Sequence, residues 1–188
     1  MKKIVTLTIC LLLSVFLLTG CGKKNAENNT SNNTAKASKG NCDVFTCIEK
    51  ASTDAKLEDI NKLIGFEGKL LREGSGWNTY EWELNDEDSV EVTFFSTSTS
   101  IKINFKDDRI KNSKVDFSKY SEVKAALNSG ISYDEVKAKF GGVDGTLVEK
   151  SSSGNKYRWV KTTGEYLNGS FNKDKTKCSM IIGRIQQN

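Results

Sequence analysis

Asn78-Thr79-Tyr80-Glu81-Trp82-Glu83-Leu84 decides how the folded part of this chain is read. Tyr80, Trp82 and Leu84 fall on one side of an extended backbone, and Glu81 and Glu83 on the other. A period of two, apolar against acidic, predicts a strand with one covered face. The pattern continues downstream. Val90, Val92 and Phe94 alternate with Glu91, Thr93 and Phe95, and Ile101, Ile103 and Phe105 alternate with Lys102 and Asn104. A further strand is expected upstream, over Lys69–Glu73.

Sliding Leu57–Phe105 forward by 76 or 77 positions lays the chain on itself. Ile60 falls on Val136, Ile64 on Phe140 and Gly65 on Gly141. Tyr80 and Trp82 fall on Tyr157 and Trp159, and Phe94 on Phe171. Each copy is expected to open with a short helix. Asp43 is the N-cap of the first, with Cys42 before it and Cys47 inside the helix; Asp116 is its counterpart, flanked by Val115 and Tyr120. Second helices are expected over Leu57–Ile64 and Tyr133–Phe140, the latter with the capping box Ser132/Glu135. Gly65 and Gly141 supply the left-handed residue that ends each of them. In the second copy, strands follow over Thr146–Lys150 and around Tyr157/Trp159, Leu167/Gly169/Phe171 and Cys178/Met180/Ile182, all with those named residues inward.

The expected fold class is therefore α+β: two tandem repeats, residues 42–112 and 113–188. Each is a helix-turn-helix followed by a four-stranded antiparallel sheet with its helices on one face. A unit of about 65 residues is marginal alone, so the two are expected to pack together or join edge to edge.

The N-terminus carries an address. Lys2 and Lys3 precede an apolar run from Ile4 to Leu18, shorter than the roughly 20 residues that span a bilayer. A basic start, an apolar core and a small-residue exit predict a secretory signal over residues 1–20. Leu18-Thr19-Gly20-Cys21 resembles a bacterial lipobox. The resemblance implies a diacylglyceryl group on Cys21, acyl chains of the palmitate type and a protein anchored on the outer side of the cell membrane. Two chains hold stably where one does not. The polar stretch that follows, to residue 41, contains no large apolar residue and is expected to be a disordered tether.

Composition narrows the chemistry. Removing the two signal lysines from 28 basic residues leaves 26 against 24 acidic, a mature net charge of +2. No basic block interleaved with aromatics appears, so no nucleic-acid partner is expected. Histidine is absent, which removes the commonest general base and metal ligand. Of five cysteines, Cys10 leaves with the signal and Cys21 takes lipid, leaving three. Cys42 and Cys47 meet at the start of the first helix, either as a disulfide or as two buried thiols. Cys178 reads as a buried small apolar residue, and the cysteines lack paired zinc-ligand spacing. The acidic runs Asp86-Glu87-Asp88 and Asp107-Asp108 read as turns. No enzyme, cofactor or metal is expected.

The repeat as a whole, and the segment Ile131-Ser132-Tyr133-Asp134-Glu135-Val136-Lys137-Ala138-Lys139-Phe140-Gly141-Gly142 in particular, resembles the β-lactamase inhibitor protein family. The segment is also similar to the small lipoproteins of outer-membrane barrel assembly. The resemblance covers Cys42–Ile185 and implies binding through the sheet face opposite the helices. That face would carry Glu81, Glu83, Glu91, Thr93, Phe95 and Lys102, then Arg158, Val160, Tyr166, Asn168, Ser170 and Ile181. In the inhibitors an acidic hairpin enters the target enzyme. The matching loop here, Glu73-Gly74-Ser75-Gly76-Trp77-Asn78, has no aspartate at its tip, which argues against inhibition of a β-lactamase. The expected function is a non-catalytic protein-binding module with a protein partner of unknown identity. The alternative is a structural or chaperone-like component of envelope assembly.

Overall fold

In a computed structural model, residues 39–186 are described; Cys21, the apolar N-terminal run and most of the expected tether lie outside the described residues. The chain is pinned from the start of that range. The Lys39 amide donates to Leu84 O at 2.9 Å, and the Asn41 amide to Ile64 O at 2.7 Å.

Helix α1 spans Val44–Lys50, with the Asp43 carboxylate accepting from the amides of Phe45 and Thr46. Capping donors that would otherwise be left unsatisfied fixes where the helix starts. Cys42 and Cys47 are joined by a disulfide with Cα atoms 5.6 Å apart, and both residues sit in the core with Val44 and Ile48. The bond closes a short loop, so it removes limited freedom from the unfolded chain. Replacing both cysteines with Ala is expected to lower stability by about 2 kcal/mol, read as a shift of the urea midpoint; an unchanged midpoint would sink this account.

Helix α2 spans Leu57–Ile64 and stops at Gly65, whose φ is +99°. The second half of the chain departs from the expected plan. Asp116 caps no helix: its carboxylate takes the Ser118 amide at 2.9 Å and the Ser118 hydroxyl at 2.8 Å. That local turn consumes the carboxylate, so α3 begins only at Tyr120 and runs to Ala126. Helix α4 spans Tyr133–Lys139 behind the reciprocal Ser132/Glu135 box. Lys139 and Lys119 clasp Glu122 from α4 and the α3 cap, and their hydrogen bonds hold its carboxyl down at about 2.

Nine strands follow the chain: β1 Lys69–Gly74, β2 Trp77–Glu83, β3 Ser89–Phe95, β4 Thr99–Asn104, β5 Lys111–Asn112, β6 Thr146–Lys150, β7 Gly154–Lys161, β8 Tyr166–Asn172 and β9 Cys178–Arg184. They form one sheet in the order β1-β2-β3-β4-β6-β7-β8-β9, with β5 beside β7. This corrects the expected fold class. The described chain is mostly antiparallel sheet, nine strands in one layer with four short α-helices, and does not consist of two helix-turn-helix units each with its own four-stranded sheet. β5 adds a parallel pairing with β7, Lys111↔Val160 and Asn112↔Lys161, that no four-stranded unit of the expected kind contains. The physical reason lies at β4 and β6. Ile101↔Lys150 and Lys102↔Glu149 pair there, and two edges satisfy each other's backbone groups instead of meeting water.

Cross-strand partners share a face, so the register sorts the sheet into two sides. One carries Trp82, Leu84, Val90, Val92, Ile101 and Ile103, packed with Val44, Ile48, Ile60 and Ile64 of α1 and α2. The same side continues into Tyr157, Trp159, Leu167 and Phe171, packed with Val123, Tyr133, Val136 and Phe140. Lys150 stitches the two regions: its Nζ donates to Glu49 O at 3.1 Å and Ala51 O at 2.8 Å, at the end of α1. Among the described residues, none of the four α-helices packs on the other side.

Three bulges interrupt the ladders, at Leu70/Arg72, Leu147/Glu149 and Ser170/Phe171. An extra residue on one strand reverses its alternation from there on. The third matters most. Phe171 pairs with Cys178 but Ser170 pairs with Met180, so Ser179 is the extra residue on β9. Past it, Ile181 turns toward the helices and Met180 and Ile182 turn away from them.

Candidate functional site

The helix-free face is a charge ladder across the strands. Glu81 and Glu91 stand directly opposite each other on β2 and β3, a like-charge pair that is unfavourable by itself. Three neighbours offset it. Ser89 Oγ donates to Glu81 Oε1 at 2.9 Å, Arg72 reaches Glu91 at 2.8 Å from β1, and Lys102 is the register partner of Glu91 on β4. Lys102 in turn faces Glu149 on β6, and Glu149 is ion-paired to Lys156 on β7. Arg72, Glu91, Lys102, Glu149 and Lys156 thus alternate in sign across the face.

Exposed apolar side chains stand beside the ladder on the same face. Phe95 closes β3 opposite Trp77 and is 48% exposed. On the far edge, Met180 is 42% and Ile182 50% exposed on β9.

The expected site residues fall as follows. Glu83 and Lys102 are exposed on this face, and Glu81 and Glu91 are half-buried within the ladder. Arg158 is half-buried: its Nε donates to Asn168 Oδ1 at 2.8 Å, it pairs with Asp107 at 2.8 Å, and its guanidinium packs 5.3 Å over the Tyr166 ring. Asn168 is buried by that arrangement and orients Arg158. Ile181 is corrected: it is 5% exposed and packs on the helix side with Leu167 and Phe171. The sequence reading missed Met180 and Ile182. Alternation from Cys178 placed Met180 and Ile182 inward, and the bulge that reverses it past Ser179 has no signature in the residues.

The remaining candidates have structural roles. Trp82 Nε1 donates to Asn61 Oδ1 at 3.0 Å and to Phe66 O at 3.1 Å, and Trp159 Nε1 to Val143 O at 2.8 Å. In the acidic turn, Asn85 Oδ1 takes the amides of Glu87 and Asp88, while the buried Asp88 carboxylate pairs with Arg109. Burial pushes the Cys178 thiol up. Among the described residues, no group of three His, Cys, Asp or Glu is placed to hold a metal ion, and no helix is long and apolar enough to cross a membrane. Comparison of the chain with protein families, with curated proteins and with solved structures finds no match.

Proposed function

We propose that this chain is a lipoprotein, anchored through Cys21 on the outer side of the cell membrane, whose helix-free sheet face binds another protein without catalysis. The observation that carries the reading is that exposed Phe95, the last residue of β3, and exposed Met180 and Ile182, on the edge strand β9, share one face with a ladder of alternating charge. Isolated exposed apolar residues are ordinary on any surface, but two sets beside a self-neutralised polar ladder resemble anchors around a desolvated interface. The charges contribute register and encounter rate more than affinity. The anchor follows from Leu18-Thr19-Gly20-Cys21, and a polar tether would let the face reach a partner away from the bilayer.

The test uses the full chain in detergent. The parent, Phe95→Asp and the double variant Met180→Asp/Ile182→Asp are each presented to solubilised envelope, the captured protein is identified by mass, and its Kd is measured for all three. Loss of an anchor residue is expected to weaken binding by about 2 kcal/mol, roughly thirtyfold. Equal Kd values in the three proteins would remove the sheet face from consideration as the binding surface.

A further inference from the structure

The opposite side of the sheet holds a cleft of about 570 Å³ where α1 faces α4 across β6. Its apolar walls are Phe45 and Ile48 from α1 and Leu147 and Tyr157 from the sheet. Lys175, from the turn between β8 and β9, stands at its mouth with Nζ 4.8 Å from the Tyr133 ring and 5.0 Å from the Tyr157 ring. Both contacts are in cation–π range.

Three facts single out this lysine. Its φ is +62°, the one left-handed residue other than glycine among those described, in a turn where glycine or asparagine would fit at no cost. Its backbone is tied on both sides: its amide donates to Asn172 O at 3.0 Å, and its carbonyl accepts from the Tyr133 amide at 2.9 Å. Its ammonium has no carboxylate within ion-pair distance among the described residues. The nearby Asp144 is already taken by Lys137 at 2.8 Å and by the Tyr133 hydroxyl at 3.2 Å. The other cation in the cleft, Arg109, is committed to Asp88. A strained backbone therefore holds one positive charge over two aromatic faces, near Asp144 but outside ion-pair distance of it, beside apolar walls.

We propose that this cleft binds the C-terminal end of a polypeptide, with its carboxylate on Lys175 and its last apolar side chain against Phe45 and Leu147. The charge of the cleft sets the direction of the chain. Glu49 lies on the α1 wall without an ion-pair partner among the described residues, so a ligand running away from Lys175 meets negative charge. A basic residue upstream of the terminus is accepted there and an acidic one is repelled. The Glu49 carboxylate and the Thr146 hydroxyl suit a peptide; a purely hydrocarbon ligand would desolvate them without return.

The probe is acetyl-Lys-Ala-Leu with a free carboxylate, beside the same peptide ending in an amide. Each is titrated into the full chain in detergent with isoleucine and leucine methyls labelled for NMR. The free acid is expected to shift the Ile48 and Leu147 methyls saturably, and the amide to bind about tenfold more weakly, the value of one charge-assisted contact. Lys175→Gly accommodates the left-handed turn while deleting the ammonium, and it is expected to erase the difference between acid and amide with the rest of the spectrum unchanged. Equal binding of acid and amide by the parent, no saturable shift at those methyls, or a difference that survives in Lys175→Gly overturns the proposal. The Phe95 and Met180/Ile182 variants leave this cleft intact, so its test stands apart from that of the sheet face.

Discussion

Ile181→Asp is expected to unfold the chain, while Ile182→Asp, one residue along the same strand, leaves stability within about 0.5 kcal/mol of the parent. Ile181 is 5% exposed and packs with Leu167 and Phe171; Ile182 is 50% exposed on the helix-free face. A carboxylate at position 181 would be buried with no cation placed to meet it, at a cost of more than about 4 kcal/mol. Urea denaturation followed by tryptophan emission reads both variants. The opposite result, a silent change at 181 and a severe one at 182, would mean that β9 runs without the bulge at Ser179 and that Met180 and Ile182 lie inside. It would also withdraw one end of the proposed binding face.

Gly141→Ala is expected to cost about 2–5 kcal/mol, against about 1 kcal/mol for Gly142→Ala next to it. Both glycines are left-handed, with φ of +86° and +72°. They differ in what surrounds them. A Cβ at Gly141 would stand 2.1 Å from the Lys114 carbonyl oxygen, whereas one at Gly142 would meet nothing within 4 Å. Backbone cannot rotate out of the way as a side chain can, so Gly141→Ala forces α4 and the Lys114–Asp116 segment apart. Thermal unfolding of the two variants separates the strain of the turn, which they share, from the steric overlap, which only Gly141 has. Equal losses would show that the close approach of these segments is not maintained in solution.

These two variants mark where local sequence stops being informative. Helix α2 was legible to the residue, because Ile60 and Ile64 repeat at helical spacing and Gly65 ends it. Strands β2, β3 and β4 were legible from strict alternation, and with them the side on which Glu81, Glu83, Glu91, Phe95 and Lys102 stand. Asp116 misled because an aspartate serves equally as a helix cap and as a turn acceptor. Which one it becomes depends on where Ser118 sits and on how Phe117 packs against Phe140.

The sequence by itself determined the alternating strands, the glycine stops and the two tryptophan anchors, since each depends on residues close together in the chain. Tertiary structure alone decided that the strands form one nine-stranded sheet, because the β4–β6 pairing joins residues that are distant in sequence through backbone groups that every residue possesses. It also decided the facing of β9 and the cleft under Lys175. A bulge costs one residue of register with no compositional mark, and a cleft between helices exists only once both have docked on the same sheet.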